Sequence, residues 1–255
     1  MRVIAGADVE YDKHSNSIPE TYLAKQARKW AGKRLRWAAL SAACGPPPYT
    51  LPMRYVSLDL ETSGSNPARH QVLELAAVIE DSRHPLPLAE LPAFRRVVRH
   101  PEYAGTAGAI ALNARLFEEL ARKEPNPELC TPAELLPQLR EFLLLHGFRP
   151  DKKDCVAVTM AGKNIAVFDL GFLKELPGYG TLVRAEPAML DPAVFYLNWH
   201  KDSRLPSMSI CKARAGQGRD VAHEALADAL DVVRLLRPFY ELPVYKQVGE
   251  SSPPA

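Results

Sequence analysis

From residue 54 onward, stretches with apolar residues at every second position alternate with stretches in which apolar residues recur every three or four positions. The first spacing is typical of β-strands and the second of amphipathic helices. The pattern predicts strands over residues 54–61, 71–80, 94–99 and 155–160. It predicts helices over residues 112–121, 133–146, 165–176, 208–213 and 223–237. Pro238 is expected to end the last helix. Three early strands followed by mixed elements indicate an α/β fold, with helices covering a sheet.

A separate segment precedes the first strand. Residues 17–40 have the periodicity of an amphipathic helix, and Ser17 and Glu20 match an N-terminal capping box. A Gly-Pro-Pro-Pro run then forms a stiff linker. Three readings of this helix stay open: it packs on the domain, it binds nucleic acid or a partner, or Met53 is the natural start. The predicted organisation is a basic helix and linker over residues 1–52, a domain over 53–240 and a tail over 241–255.

Composition and charge limit the kinds of protein that this chain can be. The chain of 255 residues is 47% hydrophobic and 24% charged, as in ordinary soluble globular proteins. Its four cysteines form no C-x-x-C pair, so we expect reduced thiols and a cytoplasmic location. No apolar run approaches the roughly 20 residues that span a bilayer. Residues 1–52 carry 8 Lys/Arg and 4 Asp/Glu, whereas residues 53–255 carry 24 and 26. The domain therefore lacks the basic excess of a long-duplex binder.

The first strand carries two carboxylates, in the sequence LDLETSG. Side chains two positions apart on a strand project from one face, so Asp59 and Glu61 are expected side by side. Such a pair is mutually repulsive and resists loss of water, and divalent cations would remove that penalty. For a bare pair of carboxylates, the commoner explanation is an edge strand with a solvated outer face. The turn over residues 62–67 can present backbone N–H groups and hydroxyls just beyond them.

Two further motifs contribute acidic residues and a histidine. In AGKNIAVFDLGFL, Asp169 falls in the first turns of a helix, where an Asp commonly compensates the helix dipole. In AHEALADALDVVRLL, His223 and Asp228 are five positions apart, so they do not share a helical face. They can meet if His223 lies at the helix entrance. A histidine there suits a general base, because this residue type titrates near neutral pH. Asp231 is expected to be more exposed.

Taken together, the three motifs resemble those of the DEDDh family of 3′→5′ exonucleases, which includes proofreading epsilon-type subunits, oligoribonuclease and ribonuclease T. The resemblance covers about residues 54–238, and the His in the third motif indicates the His branch. It implies a ribonuclease H-like fold with a mixed five-stranded sheet flanked by helices. Residues 177–220 differ from the proofreading type and are more similar to the oligoribonuclease-like branch.

The resemblance also implies roles for the matched residues. Two Mg²⁺ or Mn²⁺ ions would be held by the carboxylates of Asp59, Glu61, Asp169 and Asp228. Asp59 would bridge the ions, Asp169 would act largely through water, and His223 would take a proton from the attacking water. Two such ions clamp the attacking and leaving oxygens of an in-line displacement. The positions implied to bind substrate are Leu60, Thr62, Ser63, Gly64 and Asn164.

The expected partner is the 3′ end of single-stranded DNA, RNA or a short oligonucleotide, and the expected product is a 5′ mononucleotide. The sequence does not choose among these substrates. Family members of the oligoribonuclease type are dimers, so a homodimer is one alternative here. Two other functions stay open on the same fold. One is a non-catalytic nucleic-acid-binding module, and the other is an endonuclease or nucleotidyl transferase, which also gathers carboxylates on the first strand.

Overall fold

The structure is a computed structural model that describes residues 53–122, 125–219 and 223–240. The predicted helix over residues 17–40, its linker and the predicted tail lie outside the described residues, so the proposed domain limits stay predictions. Within the part of the chain that is described, no helix is both long enough and apolar enough to cross a membrane.

The centre of the fold is a sheet whose first three strands precede the first α-helix along the chain. The strands are β1 (Arg54–Thr62), β2 (Val72–Asp81), β3 (Ala93–Val98), β4 (Leu129–Cys130), β5 (Val156–Val158), β6 (Met160–Ala161) and β7 (Val183–Ala185). Five of them form one sheet in the order β4–β3–β2–β1–β6. β1 and β3 are antiparallel to β2, whereas β6 is parallel to β1 and β4 is parallel to β3. The predicted mixed five-stranded sheet is confirmed.

The fourth predicted strand, over residues 155–160, is divided in the structure. β5 pairs with β7 in a separate two-stranded sheet, and only β6 joins the main sheet beside β1. The chain changes partner at Thr159, whose carbonyl accepts a hydrogen bond of 2.9 Å from the backbone N–H of Val56. This division was not predictable from periodicity, because both halves are apolar.

Six α-helices surround the sheet in the described residues. They are α1 (Ala107–Leu112), α2 (Ala114–Ala121), α3 (Pro132–Leu145), α4 (Asp169–Glu175), α5 (Met208–Arg214) and α6 (Ala225–Tyr240). The helix predicted over residues 112–121 is two helices that meet at Asn113. The Asn113 side chain donates to the carbonyls of Thr62 at 3.3 Å and Ala109 at 3.1 Å. A buried amide that bonds to the backbone in this way competes with continuous helix.

The helix predicted over residues 165–176 begins only at Asp169. Asn164 has a φ of 61°, in the left-handed region, and its carbonyl accepts from the N–H groups of Val167 and Phe168, both at 3.0 Å. These bonds form turns rather than a helix. Gly162 lets the turn approach β1, since a Cβ there would lie 2.8 Å from the carbonyl oxygen of Leu58.

The last helix starts at Ala225 rather than at residue 223, and it continues through Pro238, so the predicted end was wrong. Pro238 has no N–H to donate to the carbonyl of Arg234. The side chain of Gln217 donates to that carbonyl instead, at 3.5 Å. The helix packs on β1 and β2 through apolar side chains, and the Ser57 hydroxyl donates to the carbonyl of Ala229 at 2.7 Å. This packing turns the first turns of α6 toward β1.

Candidate metal centre and active site

Three carboxylates from two motifs converge at one end of β1. Asp59 and Glu61 project from β1, and Asp228 projects from the first turn of α6. One ligand oxygen from each lies within 4.8 Å of the others. Glu61 and Asp228 are buried, and Asp59 is partly exposed. The same-face geometry that the spacing predicted is therefore present, and the third motif supplies its carboxylate from a different element.

Asp169, from the second motif, lies near this group. It is 3% exposed at the start of α4, and its negative charge is close enough to raise the pKa of Asp59. It is not one of the three carboxylates that share the 4.8 Å cluster. Its position matches an outlying role beside Asp59. Simple compensation of the helix dipole does not require such burial.

The electrostatics of the four carboxylates are unfavourable without a cation. Burial raises the pKa of Glu61 to about 7, with further contributions from Glu74 and Asp228. Burial also raises the pKa of Asp169 to about 7. The pKa of Asp59 lies well above its usual range because of burial and then the charges of Asp169, Asp228 and Glu61. Desolvation and like charge both penalise the ionised forms.

The three clustered residues fit a divalent cation. Asp228 Oδ1 is buried and has no hydrogen-bond partner among the described residues. A bound cation would compensate the free energy that this oxygen loses on leaving water. The separation of 4.8 Å or less between ligand atoms is close to the span of two metal–oxygen bonds, about 4 Å for Mg²⁺. Carboxylate oxygens are the ligands that Mg²⁺ and Mn²⁺ prefer. Asp59, Glu61 and Asp228 would hold such an ion.

His223 lies outside the helix, as its predicted role requires. It is exposed, it precedes α6 by two residues, and its positive charge when protonated would lower the pKa of Asp228. Its φ is 51°, in the left-handed region that non-glycine residues rarely occupy. A non-glycine residue in this conformation raises the free energy of the fold by about 1–3 kcal/mol, and such residues cluster at functional sites. The histidine is therefore adjacent to the cluster and held by its surroundings.

A buried glutamate behind the cluster was not found from the sequence. Glu74 lies directly across from Glu61 in the β1–β2 pairing and is 1% exposed. Its carboxylate accepts from Arg95 Nε at 2.5 Å and from Arg115 Nη2 at 2.6 Å. It also accepts from the N–H of Ala225 at 3.4 Å, at the start of α6. A buried charge needs such partners, and here they connect β2 to the helix that carries Asp228.

Arg115 extends this connection to the histidine. Its Nη2 donates to the backbone carbonyl of His223 at 3.5 Å while pairing with Glu74. The positive charge of Arg115 also lowers the pKa of Glu61, against the effect of burial. Arg95 makes no such contact; its remaining bonds are to Glu119, at 2.9 Å, and to Glu128. The two arginines thus share Glu74 but differ in whether they contact the histidine segment.

Replacing Arg115 with glutamine should lower the hydrolysis rate about tenfold, the value of one charged hydrogen bond of about 1.4 kcal/mol. If Arg115 acts through His223, the same change in a His223→Ala background should cost much less. Arg95→Gln is the matched control, because it loosens Glu74 without touching His223. Its effect should add to that of His223→Ala. Additive effects for both arginines would show that Arg115 does not position the histidine.

The residues implied to bind substrate fall into two groups. Leu60, Thr62 and Gly64 line a cleft of about 300 Å³ beside Glu61, together with Asn113 and Phe168 from neighbouring segments. Cofactor and nucleotide sites begin at about this size. The Thr62 hydroxyl donates to the carbonyl of Gly64 at 2.9 Å, which leaves its oxygen able to accept.

The other two residues do not line this cleft. Ser63 is fully buried, and its hydroxyl donates to the carbonyl of Ala104 at 2.6 Å and accepts from the N–H of Gln71 at 2.9 Å. This side chain holds the turn and does not face the cleft. Asn164 is exposed, and its N–H donates to Asp191 Oδ2 at 2.9 Å. Contacts of either residue with a substrate stay predictions.

Asp231 is buried, so the expectation that it would be exposed was wrong. It accepts from Lys212 of α5 and from Arg234, the latter at 2.6 Å. Two cations satisfy its charge, which explains how α6 carries a second buried carboxylate one turn after Asp228. Its charge raises the pKa of Asp228, and the charge of Lys212 lowers it. Asp231 therefore affects the cluster through the pKa of Asp228, without belonging to it.

Comparison with family models and with characterised proteins gives no match. Among solved structures, the chain is similar to the nuclease domain of 3′hExo, a DEDDh family member, bound to rAMP, with TM-score 0.54 and 14% identity, over 77% of this chain and 96% of that one. A 3′-exonuclease described for 3′-end specific recognition of the histone mRNA stem-loop gives TM-score 0.54 and 14% identity, over 76% and 84%. Exonuclease I gives 0.51 and 16%, over 76% and 42%. These similarities show that the chain has the ribonuclease H-like fold of these exonucleases, as predicted.

Proposed function

We propose that this chain is a metal-dependent 3′→5′ exonuclease of the DEDDh type, which hydrolyses phosphodiester bonds at the 3′ end of a nucleic acid. The observation that supports this most directly is the cluster of Asp59, Glu61 and Asp228 within 4.8 Å, with Asp228 Oδ1 buried and unpartnered. Asp169 and His223 lie beside it. A domain that only bound nucleic acid would have no need of five such costly groups in one place.

The reaction assigns a task to each side chain. Asp59, Glu61 and Asp228 would hold a Mg²⁺ or Mn²⁺ ion, and Asp169 would support a second ion beside Asp59. When bound, these ions supply positive charge that offsets the charge developing on the phosphate and its leaving oxygen. His223 takes the proton of the attacking water on an imidazole nitrogen. The oxygen of this water forms a bond to phosphorus as the bond from phosphorus to the 3′ oxygen of the penultimate nucleotide breaks, and that 3′ oxygen gains a proton from solvent. The products are a 5′ mononucleotide and a strand one nucleotide shorter.

The cleft beside Glu61 is the proposed site of the terminal nucleotide. Its volume of about 300 Å³ and its wall of Leu60, Thr62 and Phe168 suit a sugar and base better than a folded duplex. One similar domain was solved with rAMP bound, and another similar protein recognises the 3′ end of an RNA. We propose by analogy that the substrate is a single-stranded 3′ end of RNA or DNA, or a short oligonucleotide.

Cellular location and assembly are two further proposals. Cys130, Cys155 and Cys211 are free and buried, as expected of reduced thiols, and we propose a cytoplasmic enzyme on that basis. A homodimer is retained only as a prediction from the family resemblance.

The direct test of the function is a time course with Mg²⁺ or Mn²⁺ on 5′-labelled single strands of DNA and RNA. The products should form a ladder that shortens from the 3′ end, and a circular strand should stay intact. Cleavage of the circle would indicate an endonuclease on the same fold. Release of the 5′-terminal nucleotide as the first product would contradict the polarity.

A strand that ends in a 3′ phosphate should be degraded at least about tenfold more slowly than its 3′-hydroxyl twin, a barrier difference of roughly 1.4 kcal/mol. The added phosphate brings up to two negative charges next to Glu61 and its neighbours, in a site of low effective dielectric. Initial rates on the two matched strands measure the difference. Equal rates would show that the cleft does not distinguish a terminal 3′ hydroxyl from a 3′ phosphate.

A further inference from the structure

An exposed aromatic surface lies on the segment between β7 and α5, and none of its residues lines the cleft beside Glu61. Trp199 is 83% exposed and Phe195 is 50% exposed, and they border an open hollow of about 480 Å³. Burying a side chain as large as tryptophan is strongly favourable, so leaving one in water is costly unless something covers it. Scattered exposed apolar residues are normal, but here several occur within a dozen positions.

The turn that carries Trp199 is braced rather than loose. Asp202 accepts two hydrogen bonds from Arg214 of α5, at 2.5 and 2.8 Å. The N–H of Asn198 donates to Asp202 Oδ2 at 2.8 Å, and the N–H of His200 donates to Asn198 Oδ1 at 3.0 Å. These bonds fix the backbone on both sides of Trp199. A rigid turn that holds its tryptophan in solvent is preorganised to meet a planar partner.

Neighbouring aromatic residues anchor the same segment to α6. Phe195 stacks on Phe239 with ring centroids 4.4 Å apart, and Tyr196 meets the edge of Phe239 at 5.4 Å. The Tyr196 hydroxyl donates to the carbonyl of Leu235 at 2.9 Å. Phe195 and Tyr196 therefore pack against α6, and Trp199 is the most exposed ring of the surface.

The charge of this surface favours an anionic partner. Lys201 and Arg204 are exposed, and neither forms an ion pair with any described residue. The three acids in the segment are all paired with cations outside it, Asp202 with Arg214, Asp191 with Lys163 and Glu186 with Arg184. The local excess is positive, although residues 53–255 as a whole carry 24 Lys/Arg and 26 Asp/Glu. A protein partner needs no such excess, whereas a phosphate backbone does.

Both ends of the segment are tied to the candidate active site. At its start, Asp191 accepts from the N–H of Asn164, in the turn that leads to Asp169. At its end, Lys212 of α5 pairs with Asp231, one turn after Asp228. The segment that carries Trp199 is therefore connected to both elements, the turn before α4 and the start of α6, that carry the candidate catalytic residues.

We infer that Trp199, with Lys201 and Arg204, forms a binding surface for single-stranded nucleic acid, on which a base stacks while the two cations contact phosphates. Aromatic rings interleaved with cations are how proteins hold single strands without reading sequence, because every base has a π-face. In its role of holding the strand during hydrolysis, the inference rests on the proposed function. As a binding surface, it is measured without catalysis.

The binding test uses the full chain with EDTA and fluorescently labelled single strands of about 12 nucleotides, dT or U, a length within the usual site sizes. Trp199→Ala should weaken binding about 5- to 150-fold, the range found for one stacked base. Trp199→Phe should restore much of it. Lys201→Gln with Arg204→Gln should reduce the slope of log affinity against log salt by about 1.4, since each phosphate contact on a single strand contributes about 0.7.

Leu145→Ala is the matched control, because Leu145 is an exposed large apolar residue at the end of α3, outside this surface. Its binding should equal wild type. If Trp199→Ala also binds as wild type does, the inference is overturned. It is equally overturned if Trp199→Ala converts a dimer into a monomer in sedimentation while strand binding is unchanged, because the surface would then belong to a second copy.

Hydrolysis separates this inference from the proposed function. With Mg²⁺, Trp199→Ala should raise KM on a strand of about 12 nucleotides by the same factor and leave a dinucleotide unaffected, since a dinucleotide would occupy the cleft, which shares no lining residue with the surface. A wild-type chain that binds strands through Trp199 but hydrolyses none would refute the exonuclease and keep the surface. If the wild-type chain hydrolyses strands and Trp199→Ala has the same KM, the exonuclease is supported and the surface is refuted.

Discussion

Asp59→Asn should abolish hydrolysis and, at the same time, make the metal-free protein more stable. The asparagine keeps the shape of the side chain but removes the negative charge that sits among Asp169, Asp228 and Glu61. Activity should fall below roughly a thousandth of the wild-type rate, at the upper end of what one lost electrostatic contact costs. Stability should rise because one of several mutually repelling buried carboxylates is gone.

The repulsion among these carboxylates should also make the stability of the metal-free protein depend on pH. Burial raises the folded pKa of Glu61 from 4.5 to about 7, so its contribution to stability is fully present below pH 4.5 and is lost as pH rises through about 7. That loss is of order 3 kcal/mol at pH 8 for this group. A divalent ion, which binds only the ionised carboxylates, should restore it. Thermal unfolding should therefore respond to Mn²⁺ strongly at pH 8 and weakly at pH 5.

In this assay Asp59→Asn should gain about 2–8 °C without metal, for a gain of 1–2 kcal/mol, and should lose most of the Mn²⁺ response. Asp154→Asn is the matched control. Asp154 is exposed before β5, away from the cluster, and its φ of 63° is one that asparagine accepts readily. It should leave activity and the Mn²⁺ shift as in wild type. Near wild-type turnover in Asp59→Asn would show that the assignment of a bridging carboxylate is wrong.

The elements that the sequence predicted best are those whose periodicity is strong and local. β1 and β2 were predicted to within one residue at each end, because alternation along a strand needs only neighbouring positions. The same alternation put Asp59 and Glu61 on one face. Helix ends were predicted less well, since the start of α4 depends on the left-handed Asn164, and no periodicity encodes that conformation.

The residues that the sequence missed depend on partners distant along the chain. Glu74 was read as part of an ordinary strand, although a glutamate within an otherwise apolar central strand is a signal that it needs buried cations. Those cations, Arg95 and Arg115, are 21 and 41 positions away, and nothing local connects them. Asp231 was misjudged for the same reason, because Lys212 is 19 positions before it. Sequence pattern gives the face of an element, but tertiary packing decides what meets that face.

His223→Ala should lower the hydrolysis rate by roughly 10²–10⁴-fold, the usual value of general-base catalysis, while Mn²⁺ affinity changes little. His223 is exposed beside the cluster and is not one of the three carboxylates within 4.8 Å, so its removal leaves the ligand oxygens in place. His84→Ala is the control, since His84 follows β2 at the end of the sheet opposite Asp59 and should have no effect. A metal assay by thermal shift separates loss of the base from loss of the ion.

The pH profile makes this prediction specific to a base. An imidazole accepts the proton of water only when it is unprotonated, so the wild-type rate should fall on the acidic side as the histidine becomes charged. In His223→Ala that limb should flatten, leaving only the part caused by protonation of Glu61 and Asp169, whose pKa values of about 7 should be lowered by bound metal. Stability cannot produce such a change in shape. A reduced rate with an unchanged profile would assign His223 a structural role and leave the proton to bulk water.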